Sequence, residues 1–325
     1  MLVSRRRALL SESLEPMSLP ARHSMDLLAG VHRRRLPVGP GIEIAILDWG
    51  GSRPLALLHH ANGFCAGVWG VVAQTLRPFF RVVALDARGH GDSSKPKERE
   101  AYRWECFTDD LVRVAELLAA EQVEGRVALG MGHSFGGTAM LAAAARRPEL
   151  FERIVLVDPV LVPRGEPIPP ERAEHGKRLA GAARERLQVR ASREEARRTW
   201  AGRRFFASWD PRVLDLYVAE GLRDRPDGQV ELKCPGEVEA SIFEQGGTID
   251  SLAAARNLEV PGLLLWARDG NFPRAFYESV ATAMRQGRVE DVAAGHLLVM
   301  ERPDLVAAAA LRFVRDTASA QAGER

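Results

Sequence analysis

Gly132-His133-Ser134-Phe135-Gly136-Gly137 is the stretch whose reading decides the fold. Residues 126–130 before it (Arg-Val-Ala-Leu-Gly) form a short apolar run of strand character. Residues 138–147 after it are rich in Ala and read as a helix. A serine between such elements, with small residues two before and two after, fits a strand-to-helix turn so sharp that the backbones of both elements nearly touch. The turn holds the Ser134 hydroxyl at the tip of the sheet. There it lies beside a helix N-terminus whose free N–H groups favour developing negative charge.

Working outward, short apolar runs alternate with helical segments. Runs at 82–85, 127–130, 154–157, 262–266 and 289–292 read as strands, and 68–76, 104–121, 138–147, 272–285 and 303–314 as helices. This alternation predicts βαβ units and a mostly parallel sheet buried on both faces. Two further runs, 42–48 and 54–59, flank Gly50-Gly51 and are expected to pair with each other, antiparallel, at the sheet edge. Between Pro159 and about Gly247 no strand-like run is read. Four prolines (163, 167, 169, 170) lead into Arg-rich helical stretches, so 161–248 is expected to be an inserted helical cap. The basic stretch 178–204 is interleaved with Glu185, Glu194 and Glu195, the pattern of a solvated helix face.

A serine needs a base to become a nucleophile. After the expected last strand comes Gly295-His296, then Glu301-Arg302-Pro303 opening the last helix. Val82 to Ser93, Leu55 to Phe64 and Ile154 to Pro159 add three more recognisable segments, including Asp86-Ala87-Arg88-Gly89-His90-Gly91-Asp92-Ser93 and His59-His60-Ala61-Asn62-Gly63-Phe64. Together with the Gly-x-Ser-x-Gly of a nucleophile elbow, these five motifs, in this order over about 36–160 and 250–315, resemble the α/β-hydrolase family.

The resemblance implies a metal-independent, cofactor-free serine hydrolase, carboxylic ester hydrolysis being the expected reaction. Ser134 would be the nucleophile and His296 the base. The acid is expected at Asp269, after the strand where the family usually places it, with Asp158 as the alternative. The oxyanion hole would use the N–H of Phe135 and one from the loop after His60, either Asn62 or Phe64. His60 and His133 are read as structural, and Asp86 and Arg88 as loop ties. Phe64, Trp69, Phe205, Phe206 and Trp209, together with Trp200 and Tyr217, form an aromatic group expected to line an apolar substrate pocket. Perhydrolysis of the haloperoxidase type, acyl transfer and non-catalytic ligand binding are the alternatives that the same fold supports.

Composition agrees with these expectations. The chain has 325 residues, 46% of them hydrophobic and 27% charged, as in ordinary globular proteins. Its net charge of +2 offers no field for nucleic acid or an anionic membrane. Cys65, Cys106 and Cys234 are too few and too widely spaced for a disulfide framework, and no metal-ligand spacing occurs. The expected partner is a small-molecule substrate, in a cytoplasmic setting. Residues 1–35 are expected to be a flexible extension, since only Ala8-Leu9-Leu10 follows Arg5-Arg6-Arg7, and 317–325 a flexible tail. The core is then 36–160 and 249–316.

Overall fold

The computed structural model describes residues 27–162 and 170–323. Its framework is an eight-stranded sheet. In chain order the first half comprises β1 (His32–Gly39), β2 (Ile42–Asp48), β3 (Leu55–His59), α1 (Gly70–Leu76), β4 (Arg81–Leu85), α2 (Trp104–Ala119), β5 (Val127–His133), α3 (Phe135–Arg146) and β6 (Ile154–Val157). An insertion follows with α4 (Pro170–Glu185), β7 (Val189–Arg190), α5 (Arg193–Ala201), α6 (Pro211–Glu220), β8 (Leu222–Asp224), β9 (Val230–Leu232) and α7 (Gly236–Glu244). The chain returns through α8 (Ser251–Arg256), β10 (Gly262–Asp269), α9 (Arg274–Ala283), β11 (Gly287–Gly295), α10 (Leu298–Glu301) and α11 (Pro303–Gly323).

The sheet order is β1-β2-β4-β3-β5-β6-β10-β11. From β4 to β11 every pairing is parallel. Alternation along each strand divides the apolar side chains between two layers. Ala56, Leu58, Val82, Ala84, Val155 and Val157 face α1, α11 and the insertion. Leu55, Leu57, Val83, Leu85, Ile154 and Leu156 face α2, α3 and α9. Five consecutive buried residues in β3 require covered faces and neighbours on both edges.

That requirement corrects one expectation. β2 does not pair with β3. It lies between β1 and β4, antiparallel to both, while β3 sits between β4 and β5. The edge position goes instead to β1, whose Arg33, Arg34 and Arg35 keep charge on an open strand edge. Residues 32–35, expected to be flexible, are therefore part of the sheet; 1–26 lie outside the described residues. The last helix also outruns its expectation and reaches Gly323, with Thr317 buried and its Oγ1 donating to Phe313 O at 2.9 Å. In the insertion, β7, β9 and β8 form a small antiparallel sheet where no strand was expected. The signal was present: Asp227-Gly228 turns the chain between β8 and β9, with Arg225 N donating to Gln229 O at 2.9 Å.

Among the described residues no helix is long and apolar enough to cross a membrane. Leu57 is fully buried between β4 and β5, so Leu57→Ala leaves a cavity. The expected cost is about 2–5 kcal/mol in urea unfolding; a loss below about 1 kcal/mol would show that this layer collapses around the gap.

Candidate active site

Ser134 sits between β5 and α3 with φ 57° and ψ −124°, outside the comfortable regions for a side-chain-bearing residue. The flanking glycines explain how the turn closes. A Cβ on Gly132 would lie 2.3 Å from Gly136 O, and one on Gly136 would lie 2.4 Å from His59 Nδ1 and His60 O. Ser134 N donates to Val157 O at 3.0 Å, and Ser134 O accepts from Val160 N at 3.2 Å. The elbow is thus tied on both sides of Asp158.

His296 follows β11. Its Nε2 is 2.9 Å from Ser134 Oγ, and its Nδ1 is 2.6 Å from Asp158 Oδ2. With the proton on Nδ1, the imidazole donates to the carboxylate and accepts from the serine hydroxyl. Two supports fix the ring's backbone. His133 Nε2 donates to His296 O at 2.8 Å, and Glu301 Oε2 accepts from Gly295 N at 2.8 Å. His133, read from the sequence as a packing residue, is therefore also a strut for the histidine loop.

The carboxylate at His296 belongs to Asp158 and not to Asp269, which corrects the expectation. Asp158 is 1% exposed and has φ 40°. Its Oδ1 accepts from Ala267 N at 3.0 Å and from the Tyr277 hydroxyl at 2.8 Å. Asp269 lies on the exposed end of β10, beyond a register shift that follows Ala267. β10 and α9 thus contribute supports for an acid that follows β6 rather than the acid itself. Nothing in the sequence singled out Tyr277, which sits in an ordinary amphipathic helix.

The loop after β3 is held by neutral histidines. His60 Nδ1 donates to Ala61 O at 2.7 Å and its Nε2 accepts from Ala87 N at 2.9 Å. His90 Nδ1 donates to Arg88 O at 3.1 Å and its Nε2 accepts from Gly63 N at 3.0 Å. Burial pushes His59 down to about 4, His90 and His133 to about 3, and His60 well below the usual range. Asp86 and Arg88 tie loops as expected: Asp86 accepts from Ala66 N and Asp92 N, and Arg88 forks onto Asp110.

These bonds separate the two candidate oxyanion donors. Phe64 N donates within its own turn to Ala61 O at 3.3 Å, so it is already engaged. Among the described residues neither Asn62 N nor Phe135 N has an acceptor. The aromatic expectations also divide. Phe64 lies 5.5 Å from Trp209 and 5.4 Å from Tyr217 between ring centres, and Trp209 lies 4.9 Å from Phe206. Trp69 is fully buried within the same apolar layer, and Phe205, 58% exposed, lies 4.9 Å from Phe206 and 6.2 Å from Trp209 on the outer side of the group. Among the described residues no cluster of three His, Cys, Asp or Glu side chains converges to hold a metal ion.

Residues 56–309 match the family described as "Alpha/beta hydrolase family". The chain belongs to the alpha/beta hydrolase family. Within this family it is 34% identical over 122 residues to 2-hydroxymuconate semialdehyde hydrolase of Pseudomonas sp. (strain CF600), covering 37% of this chain and 41% of that protein. It is 32% identical over 108 residues to 2-(acetamidomethylene)succinate hydrolase of Mesorhizobium japonicum, covering 33% and 36%. The matched stretches thus span about two fifths or less of these relatives. Among solved structures, an E-2-(acetamidomethylene)succinate hydrolase superposes with a TM-score of 0.74 at 22% identity, over 87% of this chain and 99% of the other, a likeness of fold.

Two predictions arise from this alpha/beta hydrolase site. Tyr277→Phe removes one donor from Asp158 and leaves the ring in place. The carboxylate then loses part of its fixed aim at His296, so kcat should fall severalfold. An unchanged kcat with only a lowered Tm would make Tyr277 merely a packing residue.

The buried histidines set a second expectation. Their folded pKa values lie below the unfolded value of about 6.5, so the unfolded chain binds more protons in between. The stability they confer is present above about pH 6.5 and is lost as pH falls toward the folded values, by up to roughly 1.4 kcal/mol per pH unit for each histidine. Urea unfolding at pH 7 and pH 5 checks this, and equal free energies at the two would refute it.

Proposed function

We propose that the protein is a serine hydrolase that cleaves an ester-like bond of a small, largely apolar substrate through an acyl-enzyme. The observation that carries this reading is the unbroken line Ser134 Oγ, His296 ring, Asp158 carboxylate, at 2.9 and 2.6 Å. His296 Nε2 takes the serine proton as Oγ attacks the substrate carbonyl, and later returns it to the leaving group. Asp158 keeps the proton-bearing nitrogen of His296 pointing away from Ser134 and stabilises the imidazolium, without taking the proton itself. The tetrahedral oxyanion accepts from Phe135 N–H and Asn62 N–H. Water then attacks the acyl-enzyme by the same route in reverse roles.

Residues 161–248 serve as a cap over this site. Phe64, Phe206 and Trp209 form the apolar wall that receives the acyl or aryl group. The names of the two relatives point to hydrolysis of small molecules, and the apolar wall favours an ester-like substrate with a hydrophobic arm.

A fluorophosphonate probe and a panel of p-nitrophenyl esters test the proposal. Wild-type protein should be labelled and Ser134→Ala should not. Asp158→Asn should lower kcat by about 10⁴-fold through the wrong tautomer of His296, whereas Asp269→Asn should leave turnover near normal. Equal labelling of wild type and Ser134→Ala would remove Ser134 from this role.

A further inference from the structure

The loop that carries Asn62 is gripped from the insertion as well as from the core. Asn62 Nδ2 donates to Glu239 O at 2.9 Å, and the Tyr217 hydroxyl donates to Gly63 O at 3.2 Å. Gly63 has φ 82°, and a Cβ there would lie 2.5 Å from Glu239 Oε1, so the carboxylate rests directly on the loop backbone. Arg186 pairs with Glu239 at 2.6 Å and so neutralises this buried acid. Burial pushes Glu239 up, and Arg186 opposes that shift. Beneath the same loop, α6 approaches the segment 66–70 so closely that a Cβ on Gly67 would meet Glu220 at 2.5 Å and one on Gly70 would meet Leu216 at 2.8 Å.

From the core side, His90 holds Gly63 N and His60 spans Ala61 O and Ala87 N. The peptide that presents Asn62 N–H is therefore set between neutral histidines and α6 and α7 of the insertion. A donor serves an oxyanion only when it is aimed within a few tenths of an ångström of where the charge develops. A loop with a glycine at its tip does not hold that aim unaided.

We infer that Tyr217 and Glu239 are positioning residues of the oxyanion hole, so that the insertion completes the catalytic geometry as well as covering it. This rests on the serine hydrolase reading given above. Tyr217 and Glu239 touch no reacting atom; they act through Gly63 and Asn62. Loosening them should weaken stabilisation of the tetrahedral state and leave ground-state binding and the Ser134–His296–Asp158 line unchanged.

The test uses the full chain, p-nitrophenyl butyrate and a short-chain alkyl trifluoromethyl ketone, whose hemiketal oxygen occupies the oxyanion position. Tyr217→Phe keeps the ring, which lies 5.1 Å from Trp200 and 5.4 Å from Phe64 between ring centres, so packing is preserved. In Tyr217→Phe and in Asn62→Ala, kcat should fall about tenfold at constant KM, and ketone affinity should fall by the same factor. The double variant should lose less than the product of the two single losses. Active wild type with unchanged kcat and ketone affinity in both single variants overturns the inference alone. A change confined to KM or to Tm does the same. Wild-type protein that neither turns over the ester nor binds the ketone overturns the hydrolase reading, and this inference with it.

Discussion

The strained backbone at Ser134 is the constraint on which the rest of the site depends. A non-glycine residue at φ 57° and ψ −124° costs on the order of 1–3 kcal/mol and persists only where its surroundings over-determine it. Here they do. Gly132 and Gly136 let β5 and α3 pass with no room for a side chain, and Phe135 packs behind the turn against Phe107, at 5.2 Å, and His59, at 5.1 Å, between ring centres. The same backbone reaches β6 through Ser134 N and Ser134 O, which bind Val157 O and Val160 N. Asp158 lies between those two bonds. The elbow therefore places the serine and, through two peptide hydrogen bonds, the carboxylate that faces His296.

Around this centre the fold uses histidines as neutral, two-ended hydrogen-bonding parts. His60 and His90 each accept one backbone N–H and donate to one carbonyl, a pairing that only the uncharged ring supports. Burial keeps them neutral by depressing their pKa values. His296 differs in having a carboxylate on one nitrogen and a hydroxyl on the other, so its proton has somewhere to go. One residue type thus fills two physical roles, separated by what each nitrogen faces.

Several contacts join the insertion to this centre. Asp210 N binds Met300 O at 2.8 Å beside the histidine loop, Tyr217 and Glu239 hold the loop after β3, and α6 lies on the 66–70 segment. It is therefore continuous with the hydrophobic layer over one face of the sheet, where Val213, Leu214 and Leu216 join Val71, Val72 and Phe313.

The sequence by itself determined the order of strands β2 to β6, β10 and β11 and of the main helices between them, the elbow, the histidine loop and the family, because these rest on local rules. Buried parallel strands need unbroken apolar runs, a sharp turn needs glycines at fixed offsets, and His296 is read from the residues beside it. Strand neighbours, the choice between Asp158 and Asp269, and the split of the aromatic group were decided only by tertiary structure. Two aspartates after adjacent strands look alike in sequence. Asp158 faces His296 because the elbow's bonds bracket it and because Ala267 and Tyr277, more than a hundred residues further on, converge on its second oxygen. Likewise Trp69 and Trp209 are both aromatic residues in apolar surroundings. Only tertiary packing encloses one wholly and sets the other beside Phe64 and Phe206. Such contacts join residues distant in sequence, and no spacing along the chain encodes them.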